Sequence, residues 1–464
     1  MKITTRYVPA ILLTCLSFVN LMPAAQEPPS GGFVIKPEIW QEFLGEYSYE
    51  GKQYVSVFRF SQQAEDGSPF FFDSKTGRTG PLEAVSETEF VAGGAGVEGG
   101  GPAVEARIVF LRNDAGEVDG LMLKGEGRPD IEAVKAPGYG EELVTFPNGD
   151  VTIAGSLRLP ASPGRHPAVV YAHGSGPGTR NQVSLLAHFF LHRGFAVLGY
   201  DKRGIGGSTG DWRRIDFPEL AADALAAVRY LRSRPDIDPQ KVGLYGISQG
   251  GWIVSLAASR SRDVAYFISH SGPGVSPRKQ EFTMLTNIMT ASGFSQGEID
   301  GVLQSMSLLY EFGKTGKNGD KLDELVLKLK PNQKLADFLP PLSKELDREK
   351  LYEKQEMGDP GWFYHLDVDY DPIPAVRRLQ CPGLFIFGKH DFTVPVEESV
   401  ARIEAALKEA GNKLCRVVVL PNAGHGVPEI DPAKPRQPAA PLRLAEGYLE
   451  LLGDWLDQEL SIGH

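Results

Sequence analysis

A serine, an aspartate and a histidine stand in this chain where they could act together. Ser248 is framed as Gly246-x-Ser248-x-Gly250, Asp391 follows Lys389-His390, and His425 lies between Gly424 and Gly426. A serine hydroxyl is a poor nucleophile at neutral pH. It needs a base within hydrogen-bond reach, and the base needs an acid to orient it. The surroundings of Ser248 suit that chemistry. Residues 242–245 read as a short buried strand and 252–259 as a helix, so the serine falls on a sharp strand-to-helix turn. So tight a turn has no room for side chains two residues before and after the serine, where Gly246 and Gly250 carry none. Ser248 is then expected at the strained tip, its Oγ exposed above a helix N-terminus.

On such a turn the partners follow in the order serine, acid, histidine. The histidines downstream are His270, His365, His390, His425 and His464. His390 adjoins Asp391, too close to be its partner. His270 follows a strand and could line a pocket. His425 has the loop position a base requires, just after the apolar run 416–420. Asp391 follows the apolar run 383–388, whereas Asp367, Asp369 and Asp371 precede it. The bland reading of Asp391 is a solvated loop aspartate. Two backbone N–H groups must also face the developing oxyanion, each worth about 3–4 kcal/mol in the transition state. One is expected from Gln249, the other from His173-Gly174-Ser175-Gly176-Pro177-Gly178 after the strand 167–172. Ser175 is the chosen donor, with Gly174 and Gly176 as alternatives, and His173 reads as a brace for the loop. Residues 201–208 are glycine-rich but lack phosphate-loop spacing, and read as a loop tied by Asp201 and Arg203. With no CxxC and no metal-ligand cluster, neither a metal nor a cofactor is expected.

The elements around these residues fall into two patterns. From about residue 140, strands alternate with helices, which implies a mostly parallel sheet flanked by helices. Asn148-Gly149 marks an antiparallel hairpin at its start. Phe217, Leu220, Ala221, Ala224, Leu225, Val228 and Leu231 recur at helical spacing behind Asp216, a candidate cap. A last helix is expected over 442–456. Residues 276–365 interrupt the alternation with helical stripes. They read as a cap over the carboxyl ends of the strands, where ligands bind in open sheets; the alternative is a helical domain away from the site. Residues 37–135 hold short alternating runs separated by turn residues, the pattern of a small antiparallel β unit. The glycine-rich run 93–101 reads as a mobile hairpin loop.

Length and composition fit this division. A chain of 464 residues exceeds one ordinary core. A hydrophobic share of 42% with 23% charged residues is globular. The net charge of -11 speaks against nucleic acid or an anionic membrane as partner. Residues 1–25 read as a secretory signal, with a basic start, a short apolar stretch and small residues for cleavage. A retained anchor, or a lipid attached at Cys15, are the alternatives. Residues 26–32 read as a linker. The protein is then expected to be exported, periplasmic or secreted, with no stable membrane span once the signal is removed. Cys381 and Cys415 each precede an apolar run, and could pair if the two strands are neighbours.

His173-Gly174, Asp201-x-Arg203-Gly204-x-Gly206-x-Ser208, Gly246-x-Ser248-x-Gly250, Gly388-x-x-Asp391 and Gly424-His425 occur in that order. Together they resemble the α/β-hydrolase superfamily, in the branch of bacterial esterases and serine aminopeptidase-like hydrolases. The resemblance runs from about residue 140 to the C-terminus. The β unit is similar to the lipocalin-like modules attached to some bacterial serine hydrolases. The expectation is a carboxylesterase for small or medium acyl esters, with Ser248 as nucleophile, His425 as base and Asp391 as acid. A peptidase, a thioesterase or an acyltransferase would use the same triad. A non-catalytic binding protein on the same scaffold is the alternative of another class.

Overall fold

The computed structural model describes residues 39–461 except 52, 60–68, 93–105, 126–128, 183, 347–366, 432 and 434–442. The segment read as an export signal, the linker after it and the glycine-rich run 93–101 lie outside the described residues. A short helix, α1 (Trp40–Phe43), leads into β1 (Gly45–Tyr49), β2 (Gln53–Phe58), β3 (Phe70–Asp73), β4 (Thr79–Ala84), β5 (Glu89–Ala92), β6 (Ala106–Arg112), β7 (Val118–Lys124) and β8 (Ile131–Ala136). Each strand is antiparallel to the next, and β1 pairs back onto β8 to close a barrel. Alternation points Tyr47, Val57, Phe71, Phe90, Phe110 and Leu121 inward, where they pack with Trp40 and Phe43 of α1. This interior is filled by side chains, as small barrels are.

The second assembly is a sheet of β9 (Gly140–Asn148), β10 (Val151–Leu159), β11 (His166–Ala172), β12 (Ala196–Tyr200), β13 (Ile237–Ile247), β14 (Phe267–His270), β15 (Gly383–Gly388) and β16 (Cys415–Leu420). Its spatial order is β16-β15-β14-β13-β11-β12-β10-β9. Strand β10 is antiparallel to both neighbours, and the other pairs are parallel. Asn148 pairs with Val151, so the first hairpin turns on Gly149-Asp150, with Gly149 at φ +60°.

The remaining helices are α2 (Ser184–His192), α3 (Phe217–Arg232), α4 (Gln249–Ala258), α5 (Pro277–Ala291), α6 (Gln296–Thr315), α7 (Gly319–Leu329), α8 (Ile373–Val376), α9 (Val396–Glu409) and α10 (Tyr448–Leu460). Helix α3 starts at Asp216 in a reciprocal capping box with Glu219. It packs with α4, α8 and α9 on one face of the sheet. Helices α2 and α10 cover the other face, together with Tyr54, Phe58, Phe70 and Phe72 from the outside of the barrel. The barrel and the sheet therefore share a core.

Helices α5, α6 and α7 fill the interval between β14 and β15. Among the described residues of 276–365, the last of these helices ends at Leu329; residues 347–365 of the expected helical stretch lie outside the described residues. Beyond Pro331 come single turns at Gln333–Leu335 and Ser343–Glu345, because Pro331, Pro340 and Pro341 lack the N–H a helix interior needs. The final helix begins at Tyr448 rather than near 442. Arg443 and Leu444 are extended, bridging Arg78 and Pro428, and the Leu444 N–H donates to Gly77 O at 2.9 Å. That segment ties the barrel to the rim of the sheet. Cys381 and Cys415 are free thiols; Cys415 Sγ lies 3.7 Å from the Cys381 carbonyl oxygen instead.

Candidate active site

Ser248 sits between β13 and α4 at φ +55°, ψ −118°, a conformation that costs on the order of 1–3 kcal/mol for a residue with a side chain. The turn is enforced from outside. A Cβ on Gly246 would lie 2.2 Å from Gly250 O, and one on Gly250 would lie 2.3 Å from Ala172 O. The Ser248 N–H donates to His270 O at 2.9 Å, which fastens the turn to the end of β14. Gln249 opens α4, so its N–H has no partner within the helix.

Asp391 and His425 follow β15 and β16, two and three strands beyond β13 along the same edge. Asp391 is buried. Its Oδ1 accepts the Thr393 and Val394 N–H groups, each at 2.9 Å, and its Oδ2 accepts His425 Nδ1–H at 2.8 Å. A carboxylate only accepts, so this bond fixes the proton on Nδ1 and leaves Nε2 as the basic nitrogen. Nε2 is buried and carries no hydrogen bond. The His425 loop is set by Ser271, whose Oγ accepts the Gly426 N–H at 3.1 Å. It also presses on β15, where a Cβ on Gly388 would meet Gly424 O at 2.3 Å.

The other sequence candidates have different partners. Asp369 pairs with Arg278, and Asp371 with Arg402. His270 is buried with its Nδ1 against the Tyr245 and Tyr448 hydroxyls. Burial, and then the proximity of His425, push its imidazole down to about 3, so it stays neutral. It is a buried histidine close to His425.

The loop after β11 is braced by His173, whose ring packs where a Cβ on Gly178 would intrude and whose Nε2 bonds Tyr200 O. Burial lowers this imidazole to about 4. Asp201 and Arg203 both tie the 201–208 loop: Asp201 holds Arg180 and, within the loop, the Gly207 N–H, and Arg203 holds Asp223 on α3. Between them stands Lys202, to which residue type and spacing assign no role. It is 2% exposed, and its Nζ donates to Gly174 O, Gly176 O and Gln249 Oε1. Burial pushes its ammonium down to about 7. Its type alone suggests a solvated charge. The available signal was its place directly after a fully buried strand, in the first turn of a glycine-rich loop.

Among known proteins, residues 169–435 match the family model described as the alpha/beta hydrolase family. The chain is similar to Esterase EstD of Thermotoga maritima, 25% identical over 332 residues that make up 69% of each chain. It is similar to the quorum-quenching protein AidA of Acinetobacter baumannii, 35% identical over 127 residues, covering 27% of this chain and 42% of that one. A solved esterase of Pyrococcus furiosus aligns over 70% of this chain and 90% of its own, at 16% identity and a TM-score of 0.43.

Proposed function

The chain belongs to the alpha/beta hydrolase family, and on that premise we propose that it is a serine hydrolase, a carboxylesterase for small or medium acyl esters acting through an acyl-enzyme on Ser248. The observation that carries this reading is the hydrogen-bonded His425–Asp391 pair on the same sheet edge as the strained Ser248. The name of EstD, an esterase, supports the ester class.

On this reading the steps are those of acyl-enzyme hydrolysis. Ser248 Oγ adds to the ester carbonyl carbon while its proton passes to His425 Nε2. The carbonyl oxygen becomes an oxyanion facing the N–H groups of Gln249 and Ser175. The tetrahedral adduct collapses, the C–O bond to the leaving group breaks, and His425 gives its proton to the departing alkoxide. A water then attacks the acyl carbon and loses a proton to His425. The second collapse releases the acid and returns the proton to Ser248. Asp391 orients His425 and stabilises its imidazolium form throughout.

Ser248→Ala should lower ester turnover by roughly a millionfold, as in other triads. A fluorophosphonate probe should label the wild-type chain and not the variant. Near-normal turnover in Ser248→Ala would overturn the assignment. Assays with ester, anilide and thioester substrates of varied acyl length would separate the esterase reading from a peptidase or thioesterase.

A further inference from the structure

We propose that Lys202 is a positioning residue that aims both oxyanion donors, an inference that rests on the serine-hydrolase reading above. Its three N–H bonds are matched to three acceptors: Gly174 O at 2.6 Å, Gly176 O at 2.9 Å and Gln249 Oε1 at 3.0 Å. The Gly174 carbonyl belongs to the same planar peptide unit as the Ser175 N–H. In a trans peptide the C=O and N–H point in opposite directions. A cation that holds the carbonyl on one side therefore presents the Ser175 N–H on the other. Gln249 carries the second donor on its backbone, and Lys202 pins its side chain. The bond to Gly176 holds the turn between these groups, where Gly176 lies at φ +84°.

The arrangement acts on strength as well as direction. A hydrogen bond from a cation polarises the peptide it meets, so the N–H at the far end of that peptide becomes a better donor. The Lys202 side chain is buried, so its charge acts in a site shielded from water. An uncharged side chain of the same length would supply neither effect. The loop itself has anchors that do not depend on the Lys202 side chain. These are the Lys202 N–H to Gly178 O at 2.8 Å, His173 to Tyr200 O, and Asp201 to Arg180.

The test is Lys202→Met, with Gln249→Met as a second variant that keeps the backbone donor but removes one Lys202 acceptor. Lys202→Met should lower kcat roughly 10- to 100-fold, short of the ~10²–10³ for deleting a donor outright. KM should stay within about twofold. Affinity for a trifluoromethyl ketone, which forms an oxyanion on Ser248, should fall by the same factor as kcat. Gln249→Met should give a smaller loss of kcat, and that loss should shrink further in the double variant. If folded Lys202→Met keeps kcat and trifluoromethyl ketone affinity within twofold of wild type, the inference is overturned. If Lys202→Met does not fold, an unchanged kcat in Gln249→Met overturns it equally. Fluorophosphonate labelling of Ser248 separates this failure from failure of the underlying reading: labelling persists, at a wild-type rate, when only the Lys202 role is wrong.

Discussion

At the scale of the residue, the geometry around Asp391 makes a sharp prediction. Two backbone amides occupy Oδ1, so Oδ2 is left to face His425 Nδ1. In Asp391→Asn the amides of Thr393 and Val394 would hold the carbonyl oxygen in place and turn the NH₂ group toward His425. The imidazole would then carry its proton on Nε2, where it cannot accept one from Ser248. Turnover should fall about 10⁴-fold with little change in stability. Steady-state kinetics alongside a thermal melt would check this, and a loss under tenfold would exclude Asp391 as the orienting acid. The pairing of Asp391 with His425 is legible in the sequence because loop position and chain order leave few candidates. Lys202 could not. Its role depends on a long side chain crossing to carbonyls 28 and 26 residues earlier in the chain, at Gly174 and Gly176, and nothing local encodes that reach.

At the scale of the element, α5 is fastened over the acid loop: Asn287 Nδ2 donates to Phe392 O at 2.8 Å, and Lys279 pairs with Glu398 on α9. Its buried face carries Met284, Leu285 and, among them, Glu281. Burial pushes the Glu281 carboxyl up to about 7, against the pull of Tyr310 and Arg278. The folded chain thus keeps a proton that the unfolded chain releases near pH 4.3. Stability should fall as pH rises between those values, because the folded state binds more protons there. Glu281→Gln should match wild type near pH 5 and exceed it above pH 7.5, by on the order of 1–3 kcal/mol. Thermal melts of both proteins from pH 5 to 8 would show the curves diverging; a constant offset would refute the account. Sequence periodicity located α3 well, since its stripe is long and capped. It starts α10 too early, because the bridges of Arg443 and Leu444 to Arg78 and Pro428 decide that end and apolar spacing does not register them; between Pro331 and Glu345, prolines limit the described helical structure to single turns.

For the whole molecule, the question is what joins barrel to sheet. The sequence separated the two by their periods, 2 and 3.6, but hid the join. One sign was present: Phe70, Phe71 and Phe72 do not alternate with polar residues, which suits a strand covered on both faces. The outward-facing Phe70 and Phe72 enter the core shared with α2 and α10. The polar part of the join lies at Glu46 on β1. It is buried, with Oε1 2.6 Å from His188 Nδ1 and Oε2 2.6 Å from His192 Nε2, while Ser56 Oγ also donates to Oε2. His188 and His192 are one turn apart on α2, so both reach the same carboxylate. Burial alone would raise that carboxyl, yet the two imidazoles hold it well below the ordinary range. Its contribution to stability is therefore present above about pH 4.3 and is lost as pH falls below that. Glu46→Gln removes the carboxylate that His188, His192 and Ser56 share and should cost on the order of 1.5–3 kcal/mol at pH 7, a difference that narrows below pH 4. Calorimetry of the wild-type chain should give one transition for barrel and sheet together, since neither buries its shared face alone. In Glu46→Gln that transition should move to lower temperature. A barrel that melts separately in the wild-type chain, or a variant with an unchanged midpoint at pH 7, would mean that this contact does not couple the two assemblies.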